Sequence, residues 1–225
     1  MSVQWHTYAD ARAAADACAR KIAALIEEAL AGQELATLAV SGGSTPKLMF
    51  EKLLQWYRQI HGLEFVAFRY FNAAGASEKF GEHHRVETHL IPNILQVPLG
   101  RAKECQIYGT DYPTPDGTCI RDYIHIVDLA QAHMLALPPG KQGFYNLGNG
   151  DGYSVRQVIK MCEKITGSAI PVVEKTRRPG DPPKLVASAA KAISELGWKP
   201  TAPGLEQIVS DAWRWHQAHP DGYPD

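Results

Sequence analysis

Apolar residues in the first third of the chain recur with two different periods. Residues 9–31 are rich in alanine and carry isoleucine and leucine at helical spacing up to Gly32, which predicts an amphipathic helix that ends at a glycine. A short apolar run at 35–40 predicts a strand, an apolar stripe over 47–60 predicts a second helix, and the aromatic run at 65–71 predicts a buried strand. The order helix, strand, helix, strand indicates a parallel βαβ unit preceded by a helix.

The rest of the chain alternates between loops, short apolar runs and helical periodicity. Residues 72–85 are predicted as a loop and residues 88–99 as a helix. The segment 121–137 opens extended and becomes helical after Asp128, a candidate N-cap. Strands alternating with helices throughout favour the α/β class. The remaining predicted elements are a strand at 144–148, a helix from about Ser154, a strand at 171–175, a helix over 188–198 that stops at Gly197, and a last helix over 204–218.

Composition and charge narrow the classes of function. The chain has 225 residues, of which 45% are hydrophobic and 21% charged, and its formal net charge is −1. That balance provides no basic field for nucleic acid or an anionic membrane, so any anion site must be local. The N-terminus has no apolar signal core, no run is long enough to span a membrane, and a cytoplasmic location is expected. Four scattered cysteines without a CxxC pair fit reduced thiols: Cys18, Cys105, Cys119 and Cys162.

The loop between the first predicted strand and the second predicted helix has the sequence SGGSTP. Gly42 and Gly43 leave backbone amides bare, and the helix that follows presents the positive end of its dipole. Ser44 and Thr45 add hydroxyl donors. These four residues therefore form a candidate site for phosphate or sulfate. The alternative is an ordinary strand-to-helix turn in which Ser44 or Thr45 caps the helix and the proline occupies its first position.

The segment that contains this loop resembles a known family. Residues 1–46, with WHTYADARAAADACARKIAALIEEAL followed by LATLAVSGGSTP, resemble the N-terminus of 6-phosphogluconolactonase, in which the SGGSTP loop holds the sugar phosphate. The acidic DER-type segment of that family and its DGHTASLFP-type segment with the catalytic histidine have no counterpart in the sequence. The resemblance thus implies the phosphate loop without the rest of the lactonase site.

Residues 47–225 resemble a different family, UDP-glucose 4-epimerase of the extended short-chain dehydrogenases, over its C-terminal part. The similarity is carried by KLMFEKLLQWYRQIHGLEFVAFRYFNAAGA, CIRDYIHIVDLAQAHMLAL, FYNLGNGDGYSV and RRPGDPPKLVAS, in that order. In that family a tyrosine acid/base stands four residues before a lysine that holds the nicotinamide ribose. Lys47 matches the lysine, but Gly43 stands at the tyrosine's position, and no GxGxxG turn follows a first strand. The expectation is an incomplete catalytic site and no cofactor, because the NAD-binding half is missing.

The same resemblance implies a binding site for UDP or a UDP-sugar. Arginine suits a pyrophosphate because its planar fork makes paired hydrogen bonds. The alternative for arginines and aspartates beside turns is a set of surface salt bridges. The implied site comprises residues for the diphosphate and ribose, a substrate-contacting asparagine, and two residues that enclose the uracil: Arg121, Arg178 and Asp181; Asn72; Leu90 and Tyr108.

A histidine-rich stretch offers candidate metal ligands. His83, His84 and His89 stand near Glu87, and imidazole with carboxylate is a common zinc donor set. No second ligand pair follows at the regular spacing of a metal site. The stretch is therefore predicted as a loop, and no metal site is predicted.

The two resemblances together predict a recombined or engineered α/β chimera. The predicted fold class is α/β, with a truncated, Rossmann-like parallel sheet that starts helix, strand, helix, strand and is followed by an epimerase-type substrate domain. The predicted domains are residues 1–46, similar to the phosphogluconolactonase, and residues 47–225, similar to the epimerase. The expected function is weak UDP or UDP-sugar binding without catalysis. Two alternatives stay open: an NAD-dependent epimerase-family isomerase, and phosphosugar binding through SGGSTP. The strand at 35–40 has no Lys, Pro or Asp to protect its edge, so a homo-oligomer through that edge is expected, with no nucleic-acid or membrane partner.

Overall fold

The computed structural model describes residues 44–84 and 86–223, together with five positions before residue 44. Those five positions, at 17, 20, 21, 24 and 28, are helical, in agreement with the predicted first helix. The predicted strand at 35–40, its pairing and its exposed edge lie outside the described residues, so self-association through that edge stays a prediction. The chain divides between Phe65 and Val66 into two compact units, and the predicted boundary after residue 46 also stays a prediction.

Helix α1 (Ser44–His61) is the described element of the first unit. It confirms the helix that the apolar stripe over 47–60 predicts. The helix ends where Gly62 adopts a φ of +70°, a left-handed conformation that glycine adopts without steric cost. The backbone N–H of Gly62 donates to the carbonyl of Arg58 over 3.0 Å, which satisfies a carbonyl of the last turn.

The second unit has nine short strands and four α-helices among its described residues. The strands are β1 (Val66–Tyr70), β2 (Asn72–Ala74), β3 (Cys105–Tyr108), β4 (Ile120–Arg121), β5 (Tyr123–His125), β6 (Gly143–Leu147), β7 (Tyr153–Ser154), β8 (Val172–Lys175) and β9 (Lys184–Leu185). The helices are α2 (Leu90–Leu95), α3 (Ile126–Ala136), α4 (Val155–Thr166) and α5 (Leu205–Ala218), and a π-helical turn spans Ala192–Leu196.

Parallel pairing dominates the sheets of this unit. Strands β1 and β6, β2 and β5, and β3 and β8 form parallel pairs, and β4 pairs in parallel with β9 and antiparallel with β7. Parallel neighbours need long crossover connections, which helices and loops supply. The α/β class predicted from the alternating pattern is confirmed.

Two apolar clusters hold the unit together. One lies between α2, α4 and α5 and includes Ile94, Val158 and Ile208. The other surrounds Trp198 and includes Leu147 on β6. The four residues predicted to face inward on the last helix are all buried, which confirms the sequence pattern: Leu205, Ile208, Val209 and Ala212.

Two predicted helix starts and ends differ from the structure. Helix α3 is capped by His125, whose Nδ1 accepts the backbone N–H of Val127 over 3.1 Å, and Asp128 lies inside the first turn instead of at the cap. The Asp128 carboxylate accepts the backbone N–H groups of Thr201 and Ala202. Helix α2 is shorter than the predicted span 88–99, because Pro98 has no N–H to continue the hydrogen-bond ladder.

A buried carboxylate joins three loops of the second unit. Asp122, between β4 and β5, is completely buried. Its two oxygens accept the backbone N–H groups of Asn149, Gly150 and Ala187 over 2.9, 3.0 and 3.0 Å. Gly148 must be a glycine, because a Cβ there would lie 2.5 Å from this carboxylate. The loop after β6 and the segment after β9 are thus fixed to the same side chain.

We predict that Asp122→Asn lowers the free energy of unfolding by about 2–4 kcal/mol. The amide loses the negative charge and turns an NH₂ donor toward N–H donors, so at least one buried amide loses its acceptor. Urea unfolding followed by circular dichroism measures the change. Asp151→Asn is the matched control, because Asp151 is exposed in the neighbouring loop. Equal stability of the two variants would contradict the role given to Asp122.

Candidate functional site

The parallel pairing of β3 with β8 brings an aromatic ring and an arginine together. Tyr108 ends β3 opposite Lys175, the last residue of β8. The loop that leaves β8 therefore starts beside Tyr108, and it places the Arg178 guanidinium carbon 4.2 Å from the centre of the Tyr108 ring. The Tyr108 hydroxyl donates to Gln106 over 2.6 Å, which holds the ring. The pair presents a flat aromatic surface next to an exposed positive charge.

The pairing of β4 with β9 places a second arginine in the same region. The Nη2 of Arg121 donates to Oδ1 of Asp181 over 2.6 Å, and Nη1 donates to the carbonyl of Pro182 over 2.9 Å. The side chain of Arg121 is only 13% exposed, so this is not one of the surface salt bridges that the alternative interpretation requires. The Asp181 N–H donates to the Arg178 carbonyl over 3.3 Å, which joins both arginines to one loop.

The two remaining predicted substrate residues have different positions. Asn72 starts β2, and its Nδ2 donates over 2.7 Å to the carbonyl of Asp122, the neighbour of Arg121 in the chain. Asn72 therefore lies next to the arginine cluster, which we define as Tyr108, Arg121, Arg178 and Asp181. Leu90 starts α2 and packs against the hydrophobic core. The structure places five of the six predicted residues in one region and Leu90 at the core.

Tyr112 belongs to this region but was missed in the sequence. It is buried, and the Arg177 guanidinium carbon lies 4.2 Å from the centre of its ring. The Tyr112 hydroxyl is buried without a hydrogen-bond partner among the described residues. Burial and the negative charge of Asp181 raise the pKa of Tyr112, so the phenol stays protonated at neutral pH. Only the turn residues around Tyr112 stood out in the sequence, and they did not indicate a buried phenol.

The start of α1 agrees with the predicted anion loop as far as the backbone shows it. The helix begins at Ser44, so the amides of Ser44 and Thr45 lie in the first turn, where no intrahelical acceptor exists. Gly42 and Gly43 lie outside the described residues, as do the side chains of residues 44–49. The phosphate site and the cofactor role of Lys47, the fourth residue of α1, both stay predictions.

A cavity of about 590 Å³ beside α5 contains a buried histidine and aspartate. The Nε2 of His125 lies 3.2 Å from Oδ2 of Asp211, and its Nδ1 accepts the backbone N–H of Val127. The second contact requires that the proton is on Nε2, where it is donated to Asp211. Both ring nitrogens are thus engaged within the protein: Nδ1 caps helix α3 and Nε2 is bonded to Asp211.

Comparison with known proteins identifies two families along the chain. The model of the NAD dependent epimerase/dehydratase family matches residues 44–148, and that of the glucosamine-6-phosphate isomerases/6-phosphogluconolactonase matches residues 9–67. The UDP-glucose 4-epimerase of Halalkalibacterium halodurans is 51% identical over 183 residues, which are 79% of this chain and 55% of that protein. The chain thus spans about half the length of the curated relatives it matches.

Solved structures give the same result. A UDP-glucose 4-epimerase from Brucella ovis in complex with NAD is 44% identical with a TM-score of 0.71, over 75% of this chain and 54% of that one. The enzyme from Bifidobacterium longum in complex with NAD+ and UDP is 36% identical with a TM-score of 0.73, over 85% and 61%. The Rossmann-like fold class is confirmed.

These findings correct two expectations. The expectation that no cofactor binds is wrong, because the matched epimerase family is NAD dependent and both solved structures contain NAD. An engineered chain without catalysis is not supported either, because the relatives are UDP-glucose 4-epimerases. The two resemblances are confirmed as matches to two families. Recombination as their origin stays a prediction. Among the described residues, none of the helices has the length and apolar character to cross a membrane.

We predict that Tyr112→Phe leaves the free energy of unfolding unchanged or raises it by up to about 1 kcal/mol. Removing a buried hydroxyl without a partner removes its desolvation cost and keeps the ring against Arg177. Thermal and urea unfolding measure the effect. Tyr145→Phe is the comparison, because the Tyr145 hydroxyl lies 3.0 Å from both Glu195 and the Gln142 carbonyl and its loss should destabilise. A Tyr112→Phe variant destabilised by more than 1 kcal/mol would show that the hydroxyl has a partner.

Proposed function

We propose that residues 44–223 are the nucleotide-sugar-binding part of an NAD-dependent UDP-glucose 4-epimerase. The observation that carries the proposal is the arginine cluster, in which the ends of β3 and β4 and one loop place two arginines, an aspartate and an aromatic ring together. The similarity to UDP-glucose 4-epimerases over about four fifths of the chain supports it. Membership of the NAD dependent epimerase/dehydratase family is part of the same proposal.

Each residue of the cluster has a chemical role toward a UDP-sugar. Arg178 is exposed and Arg121 is partly buried, so a diphosphate can accept hydrogen bonds from both guanidinium groups. The carboxylate of Asp181 orients Arg121 and can accept from ribose hydroxyls. The Tyr108 ring provides a face for the flat uracil. Asn72 contributes an amide at the edge of the cluster.

NAD is the cofactor that the proposal includes. When bound, NAD supplies the hydride acceptor and donor for the epimerisation of a sugar carbinol. The described residues fit NAD in one respect, since α1 carries Lys47 where the family has its ribose-binding lysine. The glycine-rich segment at 148–152, after β6 and before α4, lacks the GxGxxG spacing of a dinucleotide turn, because Tyr153 stands at the position of the last glycine. Among the described residues, Lys47 is the one that we propose to contribute to NAD binding.

Phosphosugar binding at residues 42–45 is a second proposal. The family match over residues 9–67 supports it, and so does the start of α1 at Ser44. A helix N-terminus that follows two glycines offers free amides to a phosphate. This site belongs to the first unit and the arginine cluster to the second, so each can be tested with its own ligand.

We predict that UDP binds to the whole chain and that Arg178→Ala weakens the binding about tenfold to a hundredfold. A charge-assisted arginine–phosphate hydrogen bond contributes about 1.5–3 kcal/mol, and the variant also removes the cation next to the Tyr108 ring. Isothermal titration calorimetry with UDP measures the dissociation constants. Added salt should weaken binding to the wild type more than to the variant.

The matched control for UDP is Arg58→Ala, because Arg58 is an exposed arginine on α1 and lies in the other unit. Its UDP affinity should equal that of the wild type. Two results would contradict the proposed site: no UDP binding by a folded wild-type chain, or equal affinities of the wild type and Arg178→Ala.

We predict that NAD raises the melting temperature of the chain and that Lys47→Ala reduces this shift. A ligand that binds the native state alone stabilises it by mass action. Differential scanning fluorimetry over a range of NAD concentrations measures the shift. Lys52→Ala is the control on the exposed part of the same helix. A shift that is the same in both variants would show that Lys47 has no part in NAD binding, while UDP binding would remain as predicted.

A further inference from the structure

Four side chains of the segment before α2 bring two imidazoles and two carboxylates together. The ligand atoms of Glu82, His84, Glu87 and His89 all lie within 4.8 Å of one another. Oε1 of Glu82 lies 3.1 Å from Nε2 of His84 and 2.6 Å from Nδ1 of His89. Oε1 of Glu87 lies 3.0 Å from the same Nδ1. The segment is thus organised around a small group of convergent donors.

The two carboxylates are close enough to repel each other. The ligand oxygens of Glu82 and Glu87 lie within 4.8 Å of each other. The Glu82 and Glu87 side chains are 19% and 17% exposed, whereas the two imidazoles are about half exposed. Like charges in a partly buried position are stabilised by a positive charge between them. The half-exposed imidazoles leave a path from solvent to that position.

Hydrogen bonds hold the backbone of this segment at both ends, which keeps the four side chains close together. The Trp215 indole N–H donates to the Glu82 carbonyl over 3.3 Å. Gly81 exchanges hydrogen bonds of 2.9 Å with the Tyr223 hydroxyl. At the other end, Oε1 of Glu87 accepts the backbone N–H groups of Thr88 and His89 over 2.8 and 2.7 Å. This support from neighbouring groups is the feature that fixes metal ligands in proteins.

We propose that Glu82, His84, Glu87 and His89 form a zinc site. Zinc takes four nitrogen or oxygen ligands in a tetrahedron with bonds of about 2.0–2.1 Å, which places its ligand atoms about 3.4 Å apart. Three of the ligand pairs are already 2.6–3.1 Å apart, and the other pairs are no more than 4.8 Å apart. Imidazole nitrogens favour zinc over calcium and magnesium, which take oxygen ligands.

The proposal differs from the sequence prediction, which found no metal site. Glu82 was not among the residues considered, and the spacing 82, 84, 87, 89 matches none of the regular zinc patterns. His83, which was considered, points elsewhere: its Nδ1 accepts the Tyr223 N–H over 3.4 Å.

A bound zinc ion would fix the start of α2. His89 is the residue before α2, and no side chain caps that helix. Coordination of His89 ties the N-terminal end of α2 to the Trp215 side of the unit through Glu82. The role of the ion is therefore structural, and it does not depend on the proposed nucleotide-sugar function.

The test is a titration of the untagged, metal-free whole chain with zinc chloride, followed by calorimetry and by the melting temperature. We expect one zinc ion per chain and a rise in melting temperature. Cobalt in place of zinc should give the intense visible absorption of a tetrahedral complex. His89→Gln and Glu82→Gln should weaken zinc binding about a hundredfold or more, which exceeds the usual effect of a lost outer-shell partner.

Two controls match these variants in chemistry. His133→Gln and Glu78→Gln change an exposed histidine and an exposed glutamate outside the cluster, and both should bind zinc as the wild type does. If Glu82→Gln does not fold, His84→Gln replaces it, because the His84 side chain is about half exposed and interacts with Glu82 and His89 of the cluster. Absence of zinc binding by the wild type, an octahedral cobalt spectrum, or equal zinc affinity of the cluster variants and the controls would overturn the proposal.

Discussion

The Asp122 carboxylate is the constraint on which the second unit depends. Its two oxygens accept three backbone N–H groups from two segments far apart in the sequence, Asn149 and Gly150 after β6 and Ala187 after β9. Asp122 is completely buried, and a buried charge is tolerated only when hydrogen bonds replace its hydration. Those amides must therefore be in place when the unit folds. Gly148 is required for the same reason, because any side chain would occupy the space of the carboxylate.

The position of Asp122 also determines where the arginine cluster lies. Its neighbour Arg121 points toward Asp181, and its own carbonyl accepts the Asn72 side chain. Its bond to Ala187 holds the segment that follows β9, two residues beyond the end of that strand. The loop with Arg178 and Asp181 is thus fixed at its far end by Asp122 and at its near end by the pairing of β3 with β8. A rigid frame of this kind holds binding side chains in place before the ligand arrives, which lowers the entropic cost of binding.

Periodicity in the sequence was sufficient for most elements and insufficient for contacts between distant residues. The inward face of α5 followed directly from apolar residues at helical spacing. The run at 65–71 does form a strand, β1, but its burial was predicted wrongly, because four of its residues are only partly buried and Tyr70 is exposed. The N-cap of α3 did not follow, because a histidine replaced the residue types that usually cap helices and Asp128 was used by another segment. The burial of Tyr112 and its contact with Arg177 depend on how distant parts of the chain pack together, and this packing leaves no pattern in the sequence.

The proposed binding sites for UDP, NAD and phosphate lie in different units of the chain. The arginine cluster is built from residues that all lie between Tyr108 and Asp181 in the second unit. Lys47 and the anion loop lie in the first unit. The contacts that hold the cluster, from Asp122 and from the pairing of β3 with β8, lie within the second unit. The proposed UDP site of the second unit and the proposed NAD and phosphate sites of the first can therefore be tested separately, each with its own ligand.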